Sequence, residues 1–206
     1  MFVDVDQNTD EWLALRAGKV TGSAIAKIMA NGSKAFGEPA KRLAVDLVIS
    51  NLTGVVPAGG YSNSDMERGH LEEPLARSRY EFEQFCHVKN GGFYDNGVSG
   101  CSPDGLVGDD GLIEIKSVIP SVHYKRIKTN SYDPAYRWQM IFNLKESGRD
   151  WIDFVSFCNS FPDDKKLFIH RLRAESLKTA FDQIDARLAK FFLLMGQINK
   201  EISDYV

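Results

Sequence analysis

The sequence predicts an α/β fold: a central mixed β-sheet flanked by helices on both sides. Three observations carry that expectation. Apolar residues recur at helical spacing through the first 85 positions, between residues 88 and 118 the chain shifts to short segments punctuated by Gly-Gly and Asn-Gly, and two apolar strands and a long amphipathic helix close it. With 206 residues, 43% of them hydrophobic, the chain can bury a core as one domain. Its parts read as a helical N-terminal portion (1–60), a central core (61–172) and a C-terminal helix (173–206).

The elements follow in order. Thr9 or Asn8 caps a short helix containing Trp12, Leu13 and Leu15. A second short helix follows Gly22 through Ile25 and Ile28, and Leu43, Leu47, Val48 and Leu52 place a third between Pro39 and Leu52. Gly54 to Gly60 breaks that pattern. Ser64-Asp65-Met66-Glu67 has the form of a capping box opening a helix that runs to about Phe85. Val88, Phe93, Tyr94 and Val98 then sit in short hairpin segments around Gly91-Gly92 and Asn96-Gly97. A strand from Leu112 to Val118 precedes a short helix over 120–129. Asp133-Pro134 supplies an N-cap and first-turn proline for a helix through Lys145. Trp151–Phe157 and Lys166–Leu172 read as strands. Leu177, Phe181, Ile184, Leu188, Phe191 and Met195 line one face of a helix spanning 174–204.

Composition narrows the function classes. No stretch approaches the ~20 apolar residues of a membrane span, and the first ten residues lack the basic and apolar regions of a signal peptide. Cys86, Cys101 and Cys158 are scattered, fit a reducing compartment and form no zinc or iron–sulfur spacing. A cytoplasmic location is expected, with no membrane partner. The net charge of −3 neither announces nor excludes a nucleic-acid partner, because carboxylates can hold metal while basic residues cluster locally.

The most informative stretch is Cys101-Ser102-Pro103-Asp104-Gly105-Leu106 followed by Leu112-Ile113-Glu114-Ile115-Lys116, read as two short strands joined by a turn. Side chains alternate along a strand, so Glu114 and Lys116 share one face while Ile113 and Ile115 point to the other. A charged pair among buried aliphatics is costly unless partnered. A divalent cation held by Asp104 and Glu114, with Lys116 orienting or deprotonating a water beside it, is the layout of a metal-dependent phosphodiesterase. The bland alternative is an exposed hairpin with a surface ion pair. Two-metal chemistry asks for a third acid, and Glu72 and Glu73 on the preceding helix offer two. Adjacent helical residues face different ways, so only one of them points at the site, and spacing does not choose between them.

Gly69 and Glu73 on a helix, then Ser102 to Leu106, Glu114 with Lys116, and Tyr136 with Gln139 form an ordered set. It resembles the phage lambda exonuclease and YqaJ-type viral recombinases, within the PD-(D/E)xK nuclease superfamily. Trp12, Arg16, Gly18, Thr21 and Ser23 extend the likeness to the N-terminal part. The resemblance implies a restriction-endonuclease-like core. It selects Glu73, and it implies two Mg²⁺ ions, with Mn²⁺ able to substitute, held by Asp104, Glu114 and the Ile115 carbonyl, with Glu73 at the second position. Lys116 would position or activate water, and Gln139 would support the lysine or the water.

The implied activity is a 5′→3′ exonuclease on double-stranded DNA ends that leaves a 3′ single strand for phage-type recombination. The family forms a homotrimeric ring and works with a single-strand annealing protein. A 5′-phosphate pocket would use Arg16, Thr21, Ser23 and Ser102. A further family arginine after the Glu-x-Lys strand has no clean counterpart, and Arg126, Lys125 or His123 is left to replace it. Rival readings are another nuclease of the superfamily acting as an endonuclease, and a DNA-end-binding module without activity.

Overall fold

The computed structural model describes residues 1–55 and 64–205, the side chains of 64–66 excepted. The capping box read at Ser64 therefore rests on side chains outside the described residues. Strand β1 (Phe2–Val3) leads into α1 (Asp10–Arg16), where Thr9 Oγ1 accepts from the Trp12 amide at 3.2 Å. Next come β2 (Val20–Thr21), α2 (Ile25–Met29) and α3 (Glu38–Thr53), which ends where Gly54 turns left-handed at φ 68°. The long α4 (Ser64–Gln84) precedes the strands β3 (Val88–Lys89), β4 (Phe93–Asp95), β5 (Ser99–Cys101), β6 (Gly105–Val107) and β7 (Gly111–Ser117). Helices α5 (Pro120–Thr129) and α6 (Arg137–Ser147) follow, then β8 (Trp151–Phe157), β9 (Leu167–Arg173) and α7 (Lys178–Ser203).

Five strands make the central mixed sheet, in the order β3-β6-β7-β8-β9. β7 pairs antiparallel with β6 and parallel with β8, and the parallel step is made through α5 and α6, as such a crossover requires. Both faces of β7 are covered. Ile113 and Ile115 pack with Ala76 and Tyr80 of α4 and with Val155 and Phe157 of β8. Leu112, on the opposite face, packs with Met140 and Leu144 of α6 and with Ile152 and Phe154. Glu114 lies on that same α6-facing side. A third cluster sets Ile184, Leu188 and Phe191 of α7 against α2, α3 and α6.

Some expectations are corrected. A second sheet exists, β1-β4-β5-β2, with β2 parallel to β5. Its strands β1 and β2 are two residues long, too short to carry an alternation signal. The 101–106 stretch is not one strand: Cys101 ends β5, Gly105 begins β6, and Ser102 to Asp104 pass from one sheet to the other. Asp133 does cap the turn it precedes, accepting from the Ala135 amide at 3.0 Å, but residues 134–136 form a 3₁₀ turn and α6 starts at Arg137. Residues 174–177 likewise form a 3₁₀ turn ahead of α7.

The packing of α4 on the sheet is fixed by a buried polar triad. Tyr80 and Asp153 are both fully buried. The Tyr80 hydroxyl donates to Asp153 Oδ2 at 2.7 Å, and Arg171 donates to both carboxylate oxygens at 2.7 and 2.8 Å. The Arg171 guanidinium also stacks 3.6 Å from the Trp151 ring centre. Removing one partner of a buried ion pair costs about 3 kcal/mol or more, because the other members lose their compensation. Asp153→Ala is therefore expected to destabilise the fold by about that amount in urea denaturation, whereas Tyr80→Phe, which removes one hydrogen bond, should cost about 1 kcal/mol. Equal losses in the two variants would show that Arg171 contributes nothing through Asp153.

Candidate active site

The link between the sheets sets the first carboxylate. The Pro103 carbonyl accepts from Gln7 Nε2 at 2.8 Å, and Gly91 runs so close beneath that a Cβ there would lie 1.7 Å from the same oxygen. The ladder from β6 to β7 begins at Gly105 opposite Ile113, and Asp104 extends it: its amide donates to the Ile113 carbonyl at 3.1 Å, and its Oδ2 accepts from the Ile115 amide at 2.6 Å. The Asp104 side chain is thus held against the strand that carries Glu114 and Lys116.

Glu114 is completely buried, which excludes the exposed-hairpin alternative. Its Oε1 accepts from Lys116 Nζ at 2.6 Å and from Gln139 Nε2 at 2.5 Å, and its Oε2 accepts from Asn143 Nδ2 at 3.0 Å. Gln139 therefore meets the carboxylate that Lys116 also holds. Burial, then the charge of Asp104, push the Glu114 carboxyl up to about 7, against the opposing pull of Lys116. Burial works against the Lys116 ammonium, yet Glu114 and Asp104 outweigh it and hold its pKa above the ordinary lysine range. The ammonium also lies 5.0 Å from the Tyr136 ring centre.

The adjacent acids of α4 diverge. The Ser117 hydroxyl donates to Glu72 Oε2 at the end of β7, while Glu73 lines the cleft. Arg77, one turn on, donates to Glu73 Oε1 at 3.2 Å and to the Asp104 carbonyl. Burial and the Asp104 charge raise the Glu73 pKa, with Arg77 opposing. Pro74 follows directly inside the helix and leaves the His70 carbonyl without its usual amide partner. The open cleft here measures about 580 Å³, and its walls include Gln7, His70, Glu73, Asp104, Ile115 and Lys116. Three carboxylates thus face Lys116 and Arg77, and burial first, then repulsion among the acids, raises the pKa values of Glu114 and Glu73. Among the described residues no group of three His, Cys, Asp or Glu is drawn together tightly enough to hold a metal as it stands.

A second polar cluster adjoins the first. Pairing of β2 with β5 sets Thr21 beside Gly100, and so brings the 21–23 turn to Ser102, two residues before Asp104. Arg16, from the last turn of α1, reaches Ser102 Oγ at 3.3 Å and Thr21 Oγ1 and Ser23 Oγ at 3.4 Å each. Its guanidinium stacks 4.0 Å from the Trp12 ring centre, and Trp12 Nε1 donates to Ser102 Oγ at 2.8 Å. Burial lowers the Arg16 pKa to about 10, so it remains a cation at neutral pH.

Arg16, Thr21, Ser23 and Ser102 are therefore brought together, whereas Arg126 is not among them. Arg126 is 4% exposed, donates to the Tyr132 carbonyl at 3.0 Å and pairs with Asp133 at 3.4 Å, so it secures the turn after α5. His123 is equally committed, between Ser156 Oγ and the Lys165 carbonyl at 2.9 Å each. Of the three candidates for the missing arginine, Lys125 alone is exposed. Arg77 and Asn143 escaped the sequence reading, although each lies four residues after a recognised site residue, on the same helix face. Gln7 and His70 carried no comparable signal.

The model of the YqaJ-like viral recombinase domain matches residues 11–150. No curated protein matches the chain. The crystal structure of the alkaline exonuclease LHK-Exo from Laribacter hongkongensis has 34% sequence identity and a TM-score of 0.78, covering 95% of this chain and 98% of that one. LHK-Exo in complex with dAMP gives 36% identity and a TM-score of 0.79 over the same shares. A phage-related exonuclease from Haemophilus somnus 129PT, at 16% identity, TM-score 0.65 and coverage of 92% and 99%, shares the fold. The matched span contains both polar clusters, and the chain belongs to the YqaJ-like viral recombinase domain family.

Proposed function

We propose that the protein is a divalent-metal-dependent nuclease of phage-type recombination that degrades linear double-stranded DNA in the 5′→3′ direction and leaves a 3′ single strand. The observation that carries this reading is the fully buried Glu114, bonded to a Lys116 that lines a cleft together with Asp104 and Glu73, next to the Arg16 cluster. The relatives add weight, since LHK-Exo is an alkaline exonuclease and one of its structures holds dAMP.

Asp104, Glu114 and the Ile115 carbonyl would hold Mg²⁺ or Mn²⁺, with Glu73 toward a second ion. These are hard oxygen donors suited to such cations, and a cation would offset both the burial and the mutual repulsion that raise the pKa values of Glu114 and Glu73. When bound, the ion polarises the scissile phosphate and lowers the pKa of a water. Lys116 keeps its proton in this environment, so it serves as a charged donor that positions the attacking water or a phosphate oxygen. Gln139 fixes the Glu114 oxygen on which Lys116 rests. The Arg16 guanidinium and the hydroxyls of Thr21, Ser23 and Ser102 form a cup that suits a terminal 5′-phosphate. An end anchored there presents its first linkage next to Asp104.

The ring-shaped homotrimer, the annealing partner and a cytoplasmic setting belong to the same reading. Leu71, Leu75 and Phe82 form an exposed stripe on one face of α4, of the kind an assembly covers, and among the described residues no helix is long and apolar enough to cross a membrane.

Linear duplex incubated with Mg²⁺ should release 5′-mononucleotides, while EDTA stops the reaction and covalently closed circles survive. Lys116→Ala should slow release by about 100-fold or more. Cleavage of closed circles would make the enzyme an endonuclease, and retained duplex binding without any product would reduce it to an end-binding module. Arg16→Ala should lower kcat/KM on 5′-phosphorylated ends by about tenfold or more, the worth of a charged hydrogen bond, and leave 5′-hydroxyl ends nearly unaffected. An equal loss on both ends would remove the phosphate-binding role from Arg16.

A further inference from the structure

Glu114 has a second α6 partner that the family pattern does not include. Asn143 is 1% exposed, and its Nδ2 donates to Glu114 Oε2, while Lys116 and Gln139 both bind Oε1. The terminal torsion of a glutamate is broad and weakly restrained, so two donors on one oxygen leave the carboxylate free to swing about it. A donor on the other oxygen fixes the plane. Asn143 is itself anchored, since its backbone carbonyl accepts from Cys101 Sγ at 3.6 Å.

The amide has an unusual cost. Asn143 Oδ1 is buried and has no hydrogen-bond partner. Burying an unsatisfied acceptor is unfavourable, and an apolar side chain of similar size would fill the space more cheaply. Turning the amide over would set its oxygen against the Glu114 carboxylate. The orphaned oxygen instead faces Gly22, where a Cβ would lie 2.5 Å from it. Gly22 sits between Thr21 and Ser23 of the Arg16 cluster, so the phosphate-binding turn rests directly on the amide that holds Glu114.

We propose that Asn143 is a positioning residue that locks the Glu114 carboxylate in the orientation that receives a divalent cation, and that residue 22 is glycine because a side chain there would dislodge it. The inference rests on the metal-nuclease reading. It makes the 21–23 turn and the metal carboxylate one packed unit, with the Asn143 amide as its closest joint and Gln139 in ordinary contact beside it.

The test is a calorimetric titration of the DNA-free protein with Mn²⁺, alongside thermal melting. Asn143→Ala should weaken Mn²⁺ binding about tenfold or more, the usual effect of losing a partner that orients a metal ligand. Gly22→Ala, which touches no proposed ligand, should weaken it similarly. The double variant should bind no worse than Asn143→Ala alone, because removing the amide removes the oxygen that the new Cβ would strike. An amide that only fills the core would lower the melting temperature, leave the Mn²⁺ affinity of Asn143→Ala unchanged and give losses that add in the double variant. Either of the last two results overturns the proposal. If Asn143→Ala does not fold, the affinity of Gly22→Ala decides the question. Wild type that binds no Mn²⁺ overturns the nuclease reading together with this inference. Wild type that binds and cleaves while Asn143→Ala matches it overturns this inference alone.

Discussion

The structure depends on keeping a carboxylate, that of Glu114, at the centre of its main sheet. Removing a charge of that size from water costs several kcal/mol even after the surroundings relax. The compensation comes from three donors: Lys116, two residues along β7, and Gln139 and Asn143, one turn apart on α6. This explains α6, whose Met140, Ile141, Phe142 and Leu144 are all buried and belong to two different core clusters. A helix so enclosed has no room for a solvated polar face, and its two amides are tolerable because a buried acceptor meets them.

A second buried acid shows what full compensation looks like. Asp153 receives the Tyr80 hydroxyl and two Arg171 donors, its hydrogen bonds arrive from two elements, α4 and β9, and its role is to clamp α4 to β8 and β9. Glu114 lies near Asp104 and Glu73, and burial first, then the Asp104 charge, raises its pKa to about 7. The two acids lie on neighbouring strands of the same sheet, one register step apart: Ile113 pairs with Asp153, and Glu114 with Phe154. Successive residues point to opposite faces, so Asp153 turns toward α4 and supports the fold while Glu114 turns toward α6. Asp153 thereby secures the helix that carries Glu73, while Glu114, Asp104 and Glu73 stay close enough to repel one another.

How far the sequence disclosed this follows from the range of each signal. The strand at 111–117, helices α3, α4 and α5 and the strands β8 and β9 have periodic apolar patterns of seven or more residues or clear capping residues, and they were legible to within a few positions. β1 and β2 were not, because a two-residue strand has no period and exists only through its partners β4 and β5. Asp104, Glu114, Lys116 and the Glu72-or-Glu73 pair were readable as types and spacing. The choice between the two acids comes from a family likeness, and the physical distinction, the Ser117 hydroxyl donating to Glu72, is a tertiary contact 45 residues apart. Arg126 misled for the converse reason: a basic residue after the Glu-x-Lys strand looks available until folding buries it against Tyr132 and Asp133.

The unread strands turn out to organise the site. β2 exists because Val20 and Thr21 pair with Ser99 and Gly100, and that pairing places the 21–23 hydroxyls beside Ser102. The chain then needs only Pro103 to reach Asp104 and enter the central sheet. Proline fixes one backbone torsion of that link, Gln7 holds its carbonyl, and Gly91 lets the neighbouring backbone close in beneath it. The Arg16 cluster on one sheet and a carboxylate on the other are thereby separated by one conformationally constrained residue, Pro103. The spacing between the Arg16 cluster and the Asp104 carboxylate is therefore set by Ser102-Pro103-Asp104, and the small second sheet holds the far end of that link in place.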